Sequence, residues 1–365
     1  MIVQSLTVSR EEFARVTGWE MKPEGACLGE ICVPVPDAMD GDQVKVDVVA
    51  ERLGMPMVHD EIVGAWGLGP ATLAGHALST ASAPELELPD WKGNTFRLSS
   101  LRGKKVVIVS WAPYCGCSRD LPVWQKFRSE VHHKGLEVVT VGMDTLGAQS
   151  CLPFIEAAKP EHPSLIDVNH VMAERFGVVN IPNGIWINEQ GVIVRPAEPA
   201  FPPGLPTPRA GVPDSIPQRM KDIFGEATKI SVDRNAYSEA LYDWIEKGDK
   251  SAFVLSPDEV VNRSASRDVS SATASAHFVL AQHCWNTGHR DAAITHFREA
   301  HRLQPDNISY KRQAWSLMAP PDAGPFTRFW QGPEEGKENE WPFDSDWLTE
   351  IKTMGAENYY PQFRP

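Results

Sequence analysis

The chain has 365 residues, of which 42% are hydrophobic and 23% charged, a balance typical of a folded soluble protein. This length exceeds one ordinary hydrophobic core and predicts two or three domains. The formal net charge of −13 argues against nucleic acid as a partner, because an acidic surface repels phosphate groups.

No secretory signal is visible at the N-terminus, and no apolar run reaches the roughly 18–20 residues that span a bilayer. We therefore expect a cytoplasmic protein without a membrane partner. The chain has six cysteines, and in a reducing compartment closely spaced cysteines are more often catalytic or metal-binding than structural.

Composition divides the chain into five segments. We expect a small α+β domain at 1–84, a domain of alternating strands and helices at 85–198, and a linker at 199–217 that carries seven prolines. A helical region at 218–325 and an aromatic tail at 326–365 follow.

Two cysteines of the first segment fall in Cys27-Leu-Gly-Glu-Ile-Cys32, which predicts a tight hairpin with Gly29 in its turn. The Cβ atoms of facing residues in a hairpin lie about 4.5–5.5 Å apart, so a disulfide is geometrically possible. Three interpretations stay open: two small buried residues, a redox pair that exchanges electrons with Cys115, or half of a metal site.

The second segment contains two β-branched runs, Lys105–Ser110 and Leu136–Met143, separated by the helical pattern of 121–134. This strand–helix–strand order predicts parallel strands with a right-handed crossover. The runs 183–188 and 192–194 flank a short loop with glycine and predict a β-hairpin.

Cys115 lies between the first strand and the helix, in the run Trp111-Ala-Pro-Tyr-Cys-Gly-Cys117. Unpaired amides and the helix dipole at that position stabilise a thiolate, so the pKa of Cys115 should be lowered. A thiolate attacks disulfides or peroxides, and Cys117 is placed to act as the resolving thiol. Ile181–Pro182, just before the hairpin, is a candidate cis peptide bond.

Three motifs make segment 85–195 resemble the thioredoxin-like branch that contains the TlpA and ResA thiol-disulfide reductases and the wider, AhpC/TSA-related redoxins. They are the lead-in Leu86–Lys104, the active-site run Trp111–Pro122 and the distal run Phe176–Gly191. The resemblance implies an α/β thioredoxin-like domain, with a central mixed sheet flanked by helices.

The same resemblance implies a thiol-disulfide oxidoreductase or thiol peroxidase, with Cys115 as the nucleophile and Cys117 as the resolving thiol. The residues expected to bind substrate are Trp111, Pro113, Tyr114, Ile181 and Pro182. The loop of Pro182 should face Cys115 and present its backbone N–H and C=O groups to an extended substrate. The expected partner is a thiol or disulfide, on a protein or a small molecule, and no cofactor or metal is expected at this site.

The spacing of the cysteines departs from the family, which usually has two residues between them, whereas this chain has only Gly116. The segment is also similar to a redoxin group with selenocysteine at the position of Cys115, followed by Gly-Cys, which would mark Cys115 as the attacking atom. A Cys-Gly-Cys disulfide closes a small ring and should be easily reduced. Reductase, oxidant, isomerase and peroxidase roles all stay open, although the Pro-x-x-x-Thr-x-x-Cys pattern of peroxiredoxins is absent.

Cys151 follows the second parallel strand, at the start of a predicted helix and on the same sheet edge as Cys115. It is a candidate second resolving thiol. The alternative is a packing residue near the start of that helix.

Segment 274–307 resembles a tetratricopeptide repeat, with two helices joined at Thr287–His289 and small residues where they approach. Residues 308–317 predict the first helix of a following unit. One repeat cannot bury its own apolar face, so we expect it to pack on another domain or on a second subunit, as in a homodimer. His277 and Cys284 share a helix face. They are either part of a metal site or ordinary packing residues.

The tail is rich in aromatic residues that would be costly to expose, so we expect it to strap onto the body and wall one side of the cleft above Cys115. The sequence thus predicts a specialised thiol- or peroxide-handling enzyme. The alternative is a non-catalytic scaffold that keeps the thioredoxin fold for docking and binds partners through its helical repeat.

Overall fold

The structure is a computed structural model that describes the ranges 1–204, 216–319, 328–329, 331–334 and 336–364. Much of the expected linker, with Pro206, Pro208 and Pro213, lies outside the described residues. So do Phe326 and Trp330 of the tail.

The described strands, in chain order, are β1 (Ile2–Val3), β2 (Thr7–Ser9), β3 (Glu20–Lys22), β4 (Gly25–Leu28), β5 (Ile31–Val33), β6 (Met39–Asp40), β7 (Gln43–Lys45), β8 (Met57–Asp60), β9 (Ala65–Leu68), β10 (Glu87–Pro89), β11 (Thr95–Arg97), β12 (Lys105–Trp111), β13 (Leu136–Met143), β14 (Ser164–Asp167), β15 (Asn183–Ile187) and β16 (Ile193–Pro199). The described α-helices are α1 (Arg10–Thr17), α2 (Val46–Leu53), α3 (Leu121–Val131), α4 (Ala148–Ala158), α5 (Val171–Phe176), α6 (Gln218–Ala227), α7 (Arg234–Lys247), α8 (Pro257–Arg263), α9 (Val269–Asn286), α10 (Arg290–Leu303), α11 (Ile308–Leu317) and α12 (Trp347–Met354). Short 3₁₀ helices include Leu98–Leu101, Gly116–Asp120 and Ala356–Asn358.

The chain divides into two compact units that do not follow the expected linear order of domains. The first unit is Met1–Ala77 with Ser266–Tyr310, and the second is Leu78–Ala265 with Lys311–Pro365. The expected N-terminal domain therefore shares its unit with α9 and α10, and the expected helical region is divided between the units. The boundary in the second half of the chain falls inside α11.

Two glycines explain why the N-terminal segment packs with α9 in the first unit. A Cβ atom on Gly67 would lie 2.3 Å from the carbonyl oxygen of Ala276, and one on Gly69 would lie 2.1 Å from that of Ala272. Only glycine allows the backbone of β9 and the residue after it to approach the helix backbone so closely. Strand order in this sheet is β1-β9-β8.

The helix pair predicted for 274–307 is confirmed. Helix α9 ends at Asn286 and α10 begins at Arg290, so the joint is at the expected residues. Ala281, Ala293 and Ala300 are fully buried, as expected of small residues at a close helix approach.

The second unit is built on a five-stranded mixed sheet in the order β14-β13-β12-β15-β16. Strands β12, β13 and β14 pair in parallel, while β15 and β16 are antiparallel additions. The predicted strand–helix–strand unit and the predicted hairpin are therefore confirmed. Every residue of β13 is buried, as its continuous apolar run indicates for a strand covered on both faces.

Helix α7 covers part of this sheet, so this portion of the helical region packs on the domain as expected. Trp244 stacks on Trp186 of β15, with ring centroids 5.0 Å apart. The indole N–H of Trp186 donates a 2.9 Å hydrogen bond to the hydroxyl of Tyr237. Trp124 and Phe127 of α3 belong to the same buried cluster.

The described part of the tail packs within the second unit, which confirms the expected strap for these residues. Phe343, Trp347, Tyr359 and Tyr360 are buried. Phe363 lies edge-on to Tyr237 of α7, with centroids 5.8 Å apart. In the described part of the chain, no helix combines the length and apolar character needed to cross a membrane.

Gly67→Ala should destabilise the first unit by about 1–3 kcal/mol, because the new methyl group would overlap the backbone of α9. Urea unfolding, followed by hydrogen exchange of α9 amides, measures the effect. The control is Gly225→Ala in α6, where a Cβ atom meets nothing within 4 Å and stability should rise slightly. An unchanged midpoint for Gly67→Ala would show that β9 does not need this close approach.

Candidate redox site

Cys115 lies at the junction between the sheet and helix α3. Strand β12 ends at Trp111, and the 3₁₀ helix Gly116–Asp120 leads directly into α3. The Cys115 sulfur accepts a 3.4 Å hydrogen bond from the Cys117 amide, so it caps the first turn. This is the helix-start position that the sequence predicts.

The surroundings of Cys115 favour its thiolate. Burial alone would raise its pKa, but a hydrogen bond from the Cys117 thiol, the positive charge of Arg312 and the Cys117 amide together lower the pKa to about 6. At pH 7 a group with this pKa is roughly 90% ionised, whereas an ordinary cysteine thiol is ionised by only a few per cent. Cys115 is therefore the nucleophilic member of the pair at neutral pH.

Cys117 has the opposite character. Burial, the hydrogen bond to Cys115 and the negative charge of that sulfur raise its pKa well above the usual range. Cys117 thus stays a thiol for as long as Cys115 is a thiolate. Once Cys115 loses its charge by bonding to a substrate sulfur, Cys117 can ionise, which is the order that a resolving thiol requires.

Asp120 is a carboxyl group that acts electrostatically on both thiols. Burial and the charge of Cys115 raise its pKa to about 7, against the opposing effect of Arg234. Its own charge in turn helps to raise the pKa of Cys117. A carboxyl group that titrates near neutral pH beside a thiol is suited to proton transfer. Nothing in the sequence distinguishes Asp120, because an acidic residue at the start of a helix is ordinary.

Arg312 of α11 supplies the positive charge that stabilises the thiolate. It is buried, and its guanidinium donates to the carbonyl of Tyr114 (2.7 Å), to the amide oxygen of Gln331 (3.1 Å) and to the hydroxyl of Tyr359 (3.3 Å). Burial would lower the pKa of Arg312, but phenols and thiols around it, Cys115 among them, raise it further. The guanidinium therefore stays charged beside the sulfur.

A buried polar network connects α11 to the loop after β13. Arg328 pairs with both carboxylate oxygens of Asp144 (2.6 and 2.9 Å). Gln313 donates to Asp144 (3.2 Å) and accepts from the amide of Thr145 (3.0 Å). Burial would raise the pKa of Asp144, but Arg328 lowers it, so the carboxylate is ionised. The network fixes the helix that carries Arg312.

Contact of Trp111, Pro113 and Tyr114 with substrate stays a prediction. All three are buried. The Tyr114 hydroxyl donates to the amide oxygen of Gln313 (3.3 Å), and Trp111 packs edge-on against Phe154 with centroids 6.0 Å apart. Tyr114 thus contacts α11, and Trp111 packs against α4.

The loop of Pro182 lies against Cys115, and the Ile181–Pro182 bond is cis. The Cys115 sulfur is 3.9 Å from the carbonyl oxygen of Ile181. Both features are confirmed as predicted. The same carbonyl accepts a 2.8 Å hydrogen bond from the hydroxyl of Tyr360, a contact that the sequence did not reveal.

Cys151 lies in the first turn of α4 and is fully buried. Its sulfur would be 2.9 Å from a Cβ atom on Gly142, so the glycine makes room for it. Burial and the charge of Asp144 raise its pKa. Unlike the pKa of Cys117, the pKa of Cys151 is not raised by a charge that disappears when Cys115 reacts. The buried position beside Gly142 supports the packing alternative, and a role as a second resolving thiol stays a prediction.

Cys27 and Cys32 face each other across the hairpin of β4 and β5 and form a disulfide. The predicted hairpin is confirmed, and half of a metal site is excluded for the disulfide state because neither sulfur is free. These cysteines belong to the first unit, whereas Cys115 and Cys117 belong to the second. Electron exchange between the pairs stays a hypothesis.

The first unit also gathers polar side chains around Cys284. Ligand atoms of Asp60, Cys284 and His296 lie within 4.8 Å of one another, whereas the sequence pairs Cys284 with His277. The two ring nitrogens of His296 lie 3.0 Å from Asp60 and 2.8 Å from His277. Burial raises the pKa of Cys284 to about 11. The hydrogen bonds of His296 to Asp60 and His277 are compatible with ordinary packing, and a metal site stays a hypothesis.

Residues 80–195 match the model of the AhpC/TSA family. The chain is 31% identical over 111 residues to the thiol-disulfide oxidoreductase ResA of Halalkalibacterium halodurans, which covers 30% of this chain and 61% of that protein. It is 28% identical over 116 residues to ResA of Geobacillus kaustophilus, which covers 31% of this chain and 65% of that protein. The chain thus spans less than two thirds of the length of these relatives.

Among solved structures, the chain is similar to the thioredoxin domain of a thiol-disulfide oxidoreductase from Bacteroides vulgatus. The identity is 26%, the TM-score is 0.30, and the match covers 33% of this chain and 89% of that one. The family match supports a thioredoxin-like fold for this segment, in agreement with the observed sheet. Arg312 and Tyr360 lie beyond the segment that the family model matches.

Alkylation of Cys115 by iodoacetamide should follow an ionisation with its midpoint near pH 6, because only the thiolate reacts and its fraction rises with pH. Arg312→Gln should move the midpoint upward and slow the reaction at pH 6.5, since the stabilising charge is lost. Mass spectrometry of the labelled peptide gives the rate at Cys115.

Lys126→Gln is the matched control, because it removes an exposed positive charge from α3 and should leave the midpoint unchanged. Arg312→Lys, which keeps the charge, should restore part of the shift. A midpoint near 8.5 in the unaltered protein, or one that Arg312→Gln does not move, would contradict this account of the thiolate.

Proposed function

We propose that the chain is a thiol-disulfide oxidoreductase in which Cys115 attacks and Cys117 resolves. The observation that carries the proposal is the opposite tuning of two neighbouring buried thiols, since the pKa of Cys115 is lowered to about 6 and that of Cys117 is raised. Such a division is expected of a nucleophile and its partner, whereas packing alone does not require it. Similarity to relatives named thiol-disulfide oxidoreductases supports the same activity.

The reaction proceeds in two exchanges. The Cys115 thiolate attacks one sulfur of a disulfide R–S–S–R, forms a mixed disulfide and releases RS⁻. Cys117 then loses its proton and attacks the Cys115 sulfur, which forms the Cys115–Cys117 disulfide and releases the second RS⁻. Two electrons pass from the protein to the substrate, and a dithiol must later return them to the protein.

Neighbouring groups supply the changes in charge that these steps need. Arg312 stabilises the attacking thiolate without exchanging a proton. Asp120 in its ionised form accepts the proton of Cys117 when the mixed disulfide has removed the charge from Cys115. The carbonyl oxygen of Ile181 lies 3.9 Å from the reactive sulfur and limits where a substrate sulfur can approach.

Other sequence-based expectations stay proposals. The tetratricopeptide-like character of 274–307 is supported by its helix bounds and buried alanines. A homodimer and a cytoplasmic location remain predictions, and the Cys27–Cys32 disulfide is a feature more typical of oxidising compartments. A purely non-catalytic scaffold is disfavoured, because it does not explain the opposite pKa shifts of Cys115 and Cys117.

Cys115→Ser should abolish thiol-disulfide exchange, whereas Cys117→Ser should still attack a disulfide and then stop as a mixed disulfide on Cys115. Intact-mass measurement after mixing with bis(2-hydroxyethyl) disulfide distinguishes the two outcomes. Cys151→Ser is the control and should turn over normally. Full activity of Cys115→Ser would overturn the assignment of the nucleophile.

Asp120→Asn should slow the second exchange by about 100-fold, the order expected for losing a general base. The unaltered protein should resolve its mixed disulfide faster as pH rises toward about 7, because Asp120 becomes an acceptor only when ionised. Burial raises the pKa of Asp120, and this pKa falls below about 7 once Cys115 has lost its charge. This dependence should vanish in Asp120→Asn, while the exposed Asp258→Asn keeps it. Rapid quenching at a series of pH values measures the lifetime of the mixed disulfide, and an unchanged profile would exclude Asp120 as the base.

A further inference from the structure

The end of the chain occupies the loop that precedes Pro182. The hydroxyl of Tyr360 donates a 2.8 Å hydrogen bond to the carbonyl of Ile181. The side-chain amide of Asn180 donates to the carbonyl of Tyr359 (3.1 Å), and its oxygen accepts from the amide of Ile181 (2.9 Å). Both backbone polar groups of Ile181 are therefore already in use.

An extended polypeptide that docks on a loop needs free backbone donors and acceptors, as a strand added to a sheet edge does. Here a peptide would have to displace Tyr360 from the Ile181 carbonyl and Asn180 from the Ile181 amide. It would also have to expose Tyr359 and Tyr360, which are 4% and 7% exposed. A small molecule needs none of these backbone contacts.

Further contacts hold this segment in place on both sides of Tyr360. Tyr359 accepts hydrogen bonds from Arg312 (3.3 Å) and from the indole of Trp347 (3.1 Å). Tyr360 lies edge-on to Phe201, with centroids 5.7 Å apart. Arg195 donates to the carbonyl of Arg364 near the end of the chain. The segment is thus tied to the same guanidinium that faces Cys115.

The side of the site near Gly116 is more open. Gly116 is exposed, although Cys115 and Cys117 on either side of it are buried. Among the residues that the structure describes, a Cβ atom on Gly116 would meet an edge atom of Phe329 at 3.8 Å and nothing else within 4 Å. The exposed Gly116 lies between the two thiols, so an approach from this side would leave the Ile181 contacts intact.

We propose that Tyr359–Arg364, here termed the C-terminal cap, restricts this centre to low-molecular-weight disulfides and excludes disulfides in polypeptides. The inference rests on the proposed thiol-disulfide exchange and names its substrate class. By the two exchanges described above, one small disulfide is reduced to two thiols while Cys115 and Cys117 become a disulfide. A dithiol returns the protein to its starting state.

Single-turnover rates of the reduced full-length protein test the proposal. The probes are bis(2-hydroxyethyl) disulfide, insulin as a polypeptide disulfide, and hydrogen peroxide. Loss of the free Cys115 thiol, measured by quenching with a maleimide and mass spectrometry, gives a rate for each. We expect the small disulfide to react faster than insulin, and the ratio of the two rates is the readout.

Tyr360→Phe removes the hydroxyl that occupies the Ile181 carbonyl and keeps the ring. The ratio should fall about fivefold, the usual worth of one hydrogen bond. Tyr242→Phe is the control, because it removes the hydroxyl of a different tyrosine of α7, one that hydrogen-bonds with Glu130 of α3, and its ratio should not change. A truncated chain that ends at Asn358 should lower the ratio further. If the truncated chain does not fold, the result for Tyr360→Phe alone tests the proposal.

The other possible rates distinguish failure of the cap proposal from failure of the proposed function. Equal rates for both disulfides, or a ratio that neither cap variant changes, overturns the cap proposal and leaves the exchange activity standing. Failure of both disulfides to react overturns the proposed function, and the cap proposal with it. Faster reaction with hydrogen peroxide than with the small disulfide overturns the substrate class and assigns the centre to peroxides.

Discussion

A charged guanidinium buried beside a thiol is the constraint on which the second unit depends. A buried charge without partners costs several kcal/mol, so Arg312 must be surrounded by acceptors and by negative charge. Those partners come from separate segments: the carbonyl of Tyr114 in the redox loop, Gln331 after α11 and the hydroxyl of Tyr359 near the end of the chain. Loop, helix and tail therefore stabilise one another, and the Cys115 thiolate completes the arrangement.

The sequence predicted the features that depend on residues close together in the chain. The β-branched runs identified β12 and β13, and the position of Cys115 before α3 indicated a lowered pKa. Arg312 could not be found in this way, because 198 residues separate it from Tyr114 and nothing in α11 distinguishes it from a surface arginine. The lowered pKa was therefore predicted correctly, but the helix dipole was only part of its cause.

The division into units depends on shape, and composition does not reveal it. Helices α7 and α9 both present apolar residues, yet α7 packs on the mixed sheet through large rings such as Trp244, while α9 packs on β9 through backbone contact at Gly67 and Gly69. A glycine in a short strand suggests close approach to some backbone, but it does not say which one. The compact units therefore divide the chain after Ala77, Ala265 and Tyr310, at places that composition does not mark.

The magnitude of the thiolate stabilisation shows what Arg312 controls. With a pKa of about 6, the reduced pair is stabilised at pH 7 by on the order of 1 kcal/mol relative to an ordinary thiol, which corresponds to a few tens of mV for a two-electron couple. Thioredoxin-fold proteins differ by roughly 150 mV, so this effect alone does not fix the direction of electron transfer. The lowered pKa, to which Arg312 contributes together with the thiol and amide of Cys117, increases the thiolate fraction from a few per cent to roughly 90%. Arg312 therefore acts mainly on the rate of attack by Cys115, whereas we propose that the segment around Tyr360 acts on the choice of partner.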